Sequence, residues 1–287
     1  MYLNSKRKEE LHQFIVRALE EDVREGDHSS LACIPADAQG YMQLLVKDEG
    51  VLAGVELAEI IFKHVDKSAE IDVLIEDGAS VSYGDIAFRV RGNRINLLKA
   101  ERLVLNCMQR MSAIATKTKA FAQLIEDLPT QILDTRKTTP CIRLLEKWAV
   151  VIGGGANHRF GLFDLIMLKD NHIDFAGGIP QAIDKTKTYL SENQLSLNIE
   201  IEVRNHKELD EVLAHGGVNR IMLDNFNFED TRLAVQKINK IYETESSGGI
   251  DETTLRDYAL CGVDYVSMGA LTHSVYNLDL SLKVVPE

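Results

Sequence analysis

The sequence predicts an α/β protein: an α+β unit over the first hundred residues, then a parallel α/β unit. Three observations lead there. After Thr130, short apolar runs at 131–134, 165–169, 198–203, 220–224 and 264–268, with a weaker one at 244–248, alternate with helical stretches. Strand, helix, strand at this spacing implies parallel strands joined by right-handed crossovers. About six such units suit a barrel, complete or not, with an open doubly wound sheet as the alternative. Ahead of them, the stretch EDGASVSYGDIAFRVRG alternates apolar and polar residues around Gly78 and Gly84, as twisted ribbons do. Between the two patterns, Leu98, Leu103, Cys107, Met108, Met111, Ile114, Ala115 and Phe121 keep helical spacing over 97–127, enough for one long helix or two successive ones.

In chain order, 9–21 places Leu11, Phe14, Ile15, Ala18 and Leu19 on one helical face, and 21–30 reads as a polar loop. Strands are expected at 41–47 and 71–75, with a helix at 55–64 between them. On the bridging helix, Glu101, Arg102, Asn106, Gln109 and Arg110 form a polar stripe that by itself reads as a solvated face. Helices are expected at 141–150, 180–191, 207–215, 228–242 and 252–261.

Size and charge narrow the function. The chain has 287 residues, 45% hydrophobic and 26% charged, the profile of a soluble globular protein with room for a sizeable core. A net charge of -12 disfavours nucleic acid or an anionic membrane surface as partner. The opening MYLNSKRKEELHQF has no apolar core of a signal sequence, and no run approaches the ~20 apolar residues that span a bilayer. A cytoplasmic protein is expected. Cys33, Cys107, Cys141 and Cys261 form no CxxC pair and are expected to be free thiols.

Against this acidic background, 134–172 is a cationic island. From Arg136 to Lys169 it holds Arg136, Lys137, Arg143, Lys147, Arg159 and Lys169 against only Glu146 and Asp164. Such an island calls for an anionic ligand. Active sites of parallel barrels form at the C-terminal ends of the strands. The ends here read Asp134-Thr-Arg136-Lys137, Lys169-Asp-Asn-His172, Glu200-Ile-Glu202 and Leu223-Asp224-Asn225. A lone strand-end Asp is commonly a cap. Cations on two ends facing carboxylates on two others can hold a polyanion and its metal, with Glu202 and Asp224 on Mg²⁺ or sugar hydroxyls.

Glycines add a second signal. Gly153-Gly-Gly155-Ala-Asn-His158-Arg159 reads as a turn that lets backbone approach an anion clamped by Arg159. Ser247-Gly248-Gly249 and Gly269 follow the last two strand runs, where free N–H groups cradle phosphates.

Taken together, GDHSS, LLKAERLVLNCMQRMSAIAT, DTRKTTP, GGGANHRFGLFDLIMLKDNHI, IEIEV, MLDNF, SSGGI and VSMGALTHS resemble the quinolinate phosphoribosyltransferase family over almost the whole chain. The resemblance implies an N-terminal α/β sandwich over 1–113, with the tail 274–287 packing on it, and an incomplete α/β barrel over 114–273. It implies transfer of phosphoribosyl from phosphoribosyl pyrophosphate to quinolinate with Mg²⁺, releasing pyrophosphate and CO₂ and giving nicotinate mononucleotide for NAD synthesis. It also implies a homodimer, alone or within a larger oligomer, whose active sites are shared between subunits.

Carried over by position, Arg136, His158, Arg159 and Lys169 surround the quinolinate carboxylates, and Arg102 reaches in from the partner subunit. Lys137 contacts pyrophosphate. Glu202 and Asp224 bind the ribose hydroxyls and the metal, directly or through water. Ser247, Gly248, Gly249 and Gly269 hold the 5′-phosphate, with His273 nearby. Arg143 and Lys147 are then left as helix-surface charges. Three positions depart from the family pattern: Cys141 stands where glycine is usual, Ala113 replaces a glycine, and Met167 replaces isoleucine. The first two add volume beside the site. The alternatives are the molybdenum-utilisation relative of the same fold, a nicotinate phosphoribosyltransferase, and a non-enzymatic binder of phosphoribosyl pyrophosphate; the last leaves Arg102, His158 and Arg159 without a task.

Overall fold

A computed structural model describes residues 2–285. In chain order the elements are α1 (Ser5–Val23), α2 (His28–Cys33), β1 (Gln39–Val46), β2 (Gly50–Val51), α3 (Val55–Val65), β3 (Glu70–Val73), β4 (Ser80–Val81), β5 (Ile86–Asn93), α4 (Arg94–Gln123), β6 (Gln131–Leu133), α5 (Arg143–Ile152) and β7 (Ile166–Leu168). They continue with α6 (Asp170–Ala176), α7 (Ile179–Glu192), β8 (Ile199–Val203), α8 (His206–His215), β9 (Arg220–Asp224), α9 (Phe228–Ile238), β10 (Glu243–Ser247), α10 (Leu255–Ala259), β11 (Tyr265–Ser267), α11 (Ala270–His273) and β12 (Leu280–Val284).

The chain forms two compact units, one of Met1–Lys119, Thr138–Gly154 and Leu271–Glu287, the other of Ala120–Lys137 and Gly155–Ala270. The first is built on an antiparallel sheet of order β12-β1-β5-β3. Along β1, Gly40, Met42, Leu44 and Val46 are buried in alternation, the period-two signature of a half-buried strand. Phe62 of α3 meets Phe88 of β5 edge to face, with ring centroids 6.1 Å apart. The tail returns to this sheet, Leu280–Val284 pairing antiparallel with β1; residues 286 and 287 of that tail lie outside the described residues.

Three details differ from the sequence reading. The polar stretch around Gly26 contains α2, because the Asp27 carboxylate accepts the Ser30 amide at 3.2 Å and caps a helix there. α5 is no surface helix: every residue from Leu144 to Val150 is buried, Lys147 included, so Lys147 is not the surface charge expected of it. Gly153, at the end of α5, lies so close to α4 that an added Cβ would sit 2.5 Å from the Ala115 carbonyl. It is a packing glycine rather than an anion-approach glycine.

The second unit is a parallel sheet of order β6-β11-β10-β9-β8-β7. From β7 to β11 each strand lies beside the next in sequence, and β6 closes beside β11. A doubly wound sheet would reverse direction at a switch point. This order instead is that of a six-stranded barrel left open between β6 and β7. The polar run at 243–247 forms β10, an interior strand with both neighbours parallel. Its Thr244 hydroxyl and amide both bond the Asp264 carboxylate, at 2.7 and 2.8 Å.

Candidate active site

The C-terminal ends of the second unit's strands gather the expected polar residues. Lys169 follows β7 and caps α6, its amide donating to His172 Nδ1 at 3.0 Å. Its Nζ lies 2.6 Å from Glu202 Oε2 on the neighbouring strand, so a cation and a carboxylate expected to serve different ligands are paired with each other. Asp224 ends β9; its Oδ1 accepts from Ser247 Oγ and its Oδ2 from Asn225 Nδ2, both at 2.7 Å. Ser247 stands directly across from Asp224 in the parallel register.

The loop after β10 is shaped by its glycines. Gly248 has φ +100, and a Cβ there would collide with Asn225 Oδ1 at 2.2 Å. Gly249 has φ +61 and faces open space. A side chain is excluded at the first for want of room and disfavoured at the second by conformation. Gly269 follows β11.

Arg136 and Lys137 are exposed beyond β6. Arg159 is half-buried, and burial followed by the nearby charge of Arg136 lowers its pKa. A guanidinium whose charged form is disfavoured by a neighbouring cation marks a place where an anion is favoured.

Below this layer lies a second one, of which the sequence assigns only His158, as a quinolinate contact. In β8 all five residues are buried, and Glu200 and Glu202, two apart, share a face. Glu202 belongs to the strand end, while Glu200 sits one step deeper. Glu200 Oε2 lies 3.0 Å from His158 Nε2, which is also 3.4 Å from Glu245 Oε2 of β10. Arg220 Nη1 reaches the same Glu245 oxygen at 3.0 Å. Burial lowers the His158 pKa, but bonding and charge from the two glutamates outweigh it and raise the value to about 9. Burial and the neighbouring Glu245 push Glu200 upward. His158 is therefore inside the unit with its ring aimed at carboxylates of the protein itself.

The loop that carries His158 is tied down at its backbone as well. Asp134, fully buried at the end of β6, accepts the His158 amide at 2.9 Å and Asn157 Nδ2 at 2.7 Å. His158 Nδ1 accepts the Arg159 amide at 2.6 Å. The donor atoms of His158, Glu200 and Glu245 are close enough together to hold a metal ion. Arg220 against Glu245 already supplies a cation there and opposes a second one.

Arg102 and His273 belong to the first unit, both exposed, with His273 Nδ1 2.6 Å from Ser274 Oγ. In the polar stripe of α4, Arg102 and Asn106 are exposed, but Arg110 is not solvated: its Nε and Nη2 donate to the buried Glu146 at 3.0 and 2.8 Å. Glu146 also accepts the Thr139 amide at 3.0 Å, fixing the turn before α5. Within that turn Cys141 has φ 68, which accounts for the usual glycine: the position calls for a left-handed backbone, not for space. Ala113 is buried within α4, and Met167 is buried in β7.

A parallel barrel with paired cations, two strand-end carboxylates and a glycine loop defines an enzyme class that handles phosphorylated anions at the strand ends. The comparisons specify it further. Residues 27–112 match the N-terminal domain, and 114–283 the C-terminal domain, of quinolinate phosphoribosyl transferase, and the chain belongs to that family. It is 43% identical to quinolinate phosphoribosyltransferase [decarboxylating] 2b, mitochondrial, of Nicotiana tabacum, covering 97% of this chain and 83% of that one. It is 38% identical to the probable nicotinate-nucleotide pyrophosphorylase [carboxylating] of Bacillus subtilis, over 92% and 90% of the two chains. A crystal structure of NadC from Streptococcus pyogenes superposes with TM-score 0.89 at 37% identity, over 96% and 97%.

Proposed function

We propose that this chain transfers the phosphoribosyl group of phosphoribosyl pyrophosphate to quinolinate and releases CO₂ and pyrophosphate, giving nicotinate mononucleotide for NAD synthesis. Family membership supports the reaction, and one observation ties it to this site: the half-buried Arg159 lies within reach of the charge of Arg136, and Lys169 follows β7 with its side chain 43% exposed. Quinolinate is a dianion and needs several cations. Arg136, Arg159 and Lys169 bind its carboxylates in this reading, with Arg102 added from the partner of a homodimer. The exposure of Arg102, and of Leu162 at 70% and Phe163 at 59%, supports pairing with a second copy.

Lys137 meets the pyrophosphate. Ser247, Gly248, Gly249 and Gly269 receive the 5′-phosphate. Glu202 and Asp224 lie under the ribose, where their charge favours the oxocarbenium-like state at the anomeric carbon. Each keeps acceptor capacity beyond its present hydrogen bonds, and hard oxygen donors of this kind fit Mg²⁺ held chiefly by substrate phosphates, directly or through water. The ion supplies charge neutralisation on the departing pyrophosphate. Once the ring nitrogen is alkylated, the ring accepts the electron pair of the bond to the 2-carboxylate; CO₂ leaves and a proton takes its place. No side-chain nucleophile is needed. A cytoplasmic location is supported by four free cysteines.

The deciding experiment supplies purified protein with phosphoribosyl pyrophosphate, Mg²⁺ and either quinolinate or nicotinate, and follows CO₂ and mononucleotide. CO₂ from quinolinate is expected. Mononucleotide from nicotinate alone would replace this reading with that of a nicotinate enzyme, and no turnover of either would leave a binder.

A further inference from the structure

The deeper layer of the second unit has no part in the reaction as described, yet it is expensive to build. Glu200 and Glu245 are both fully buried, and His158 is 8% exposed. Burying two carboxylates costs several kcal/mol each unless they are paired and hydrogen-bonded, and replacing such a cluster with apolar residues is often neutral or better for stability. Packing alone therefore does not account for it.

The geometry gives it a task. His158 has two ring nitrogens with different partners: Nε2 faces Glu200 at 3.0 Å and Glu245 at 3.4 Å, while Nδ1 accepts the Arg159 amide at 2.6 Å. The interior carboxylates thus anchor the residue whose peptide bond leads directly into Arg159. Arg220 holds Glu245 from the far side at 3.0 Å, and Asp134 holds the His158 amide at 2.9 Å. Every joint of this chain of contacts is buried or half-buried, so it transmits position rather than flexing in solvent.

We propose that Glu200 and Glu245 are positioning residues for quinolinate: they hold His158 by Nε2, and with its amide tied to Asp134 this fixes the backbone that leads directly into Arg159, from which Arg159 reaches the substrate carboxylate. The inference rests on the reading of Arg159 as a carboxylate ligand. Because a guanidinium recognises a carboxylate through two parallel bonds, a small displacement of its backbone degrades the fit.

A double-mutant cycle read by calorimetry tests this, with quinolinate titrated into the full-length protein without metal or phosphoribosyl pyrophosphate. Glu245→Gln is expected to raise the quinolinate Kd by about tenfold. In an Arg159→Ala background, the same substitution is expected to change Kd by less than about twofold, because the residue through which it acts is gone. In a parallel titration, the Kd for Mg²⁺-phosphoribosyl pyrophosphate should stay within about twofold for Glu245→Gln. Equal losses in both backgrounds, or equal losses for both substrates, overturn the proposal. If Arg159→Ala itself leaves the quinolinate Kd unchanged, the reading of Arg159 fails first, a result distinct from additivity. Should Glu245→Gln not fold, Glu200→Gln enters the same cycle. If neither folds, the cluster serves stability alone and the proposal is overturned.

Discussion

Lys169 Nζ and Glu202 Oε2 are 2.6 Å apart, joining the end of β7 to the end of β8. The Lys169 side chain is 43% exposed and that of Glu202 9%, so the pair is accessible from one side only. In the proposed reaction these two groups serve different substrates. Replacing Glu202 with Gln removes the competitor for Lys169. Quinolinate binding is expected to tighten modestly, about twofold to fivefold, while kcat falls by about a hundredfold or more with the loss of charge under the ribose. Calorimetry and steady-state kinetics on one variant check both directions, and a loss of both would show that the pair itself must be intact for binding.

Arg136 and Arg159 raise a second expectation. Truncating either removes a charge-assisted bond to a carboxylate, so Arg159→Ala should lower kcat/KM for quinolinate by roughly two orders of magnitude. Higher ionic strength should weaken quinolinate binding to the native protein more steeply than to this variant. A common salt dependence for both would contradict a shared anion site.

The partner contribution of Arg102 has a genetic form. Arg102→Ala and Lys169→Ala, each inactive alone, should regain partial activity when refolded or co-expressed together, since some hybrid sites receive both native residues. Hybrids shown to form without activity would place Arg102 outside the site.

At neutral pH, His158 links stability to protons. Its pKa is raised to about 9 in the folded chain from 6.5 in the free side chain. A raised value means the folded state holds the proton more tightly, so this contribution is complete below about pH 6.5 and lost as pH rises through about 9. It is worth at most about 3 kcal/mol. Protonation also forfeits the bond in which Nδ1 accepts the Arg159 amide, which reduces that figure. Melting temperatures between pH 6 and 10 should fall for the native chain and flatten for His158→Gln.

Cys141 offers a test of backbone strain. With φ 68 it occupies the left-handed region where a side chain costs about 1 kcal/mol. Cys141→Gly should therefore stabilise the protein by up to about 1 kcal/mol, less the extra entropy of glycine in the unfolded chain. A drop in melting temperature would mean that the thiol makes a contact worth more than the strain.

The strands and helices carrying the site were legible because their periodicity is strong, and β6 to β9 fall where apolar runs end in charged residues. β10 was faint, since Thr244, Glu245 and Ser246 are polar yet buried; Thr244 bonds Asp264 just ahead of β11 and Glu245 pairs with Arg220 of β9, so neither partner leaves a local pattern. The same reason hid the interior role of Glu245. Glu200 was visible as an acid two residues before Glu202, but spacing alone could not distinguish a ligand from a strut. Gly153 misled for a different reason. Glycine marks close approach without saying to what, and here the neighbour is Ala115 of α4.

One consequence follows from β8, whose Glu200 and Glu202 look the same way along a fully buried strand. Its alternation binds the business end and its scaffold into a single reading frame. Insert or delete one residue ahead of Glu200 within the strand and both acids rotate outward together, while isoleucine and valine take their places inside. This segment can consequently tolerate drift by substitution but not by change of length, and homologues should differ in the loops before and after it far sooner than in its count of five.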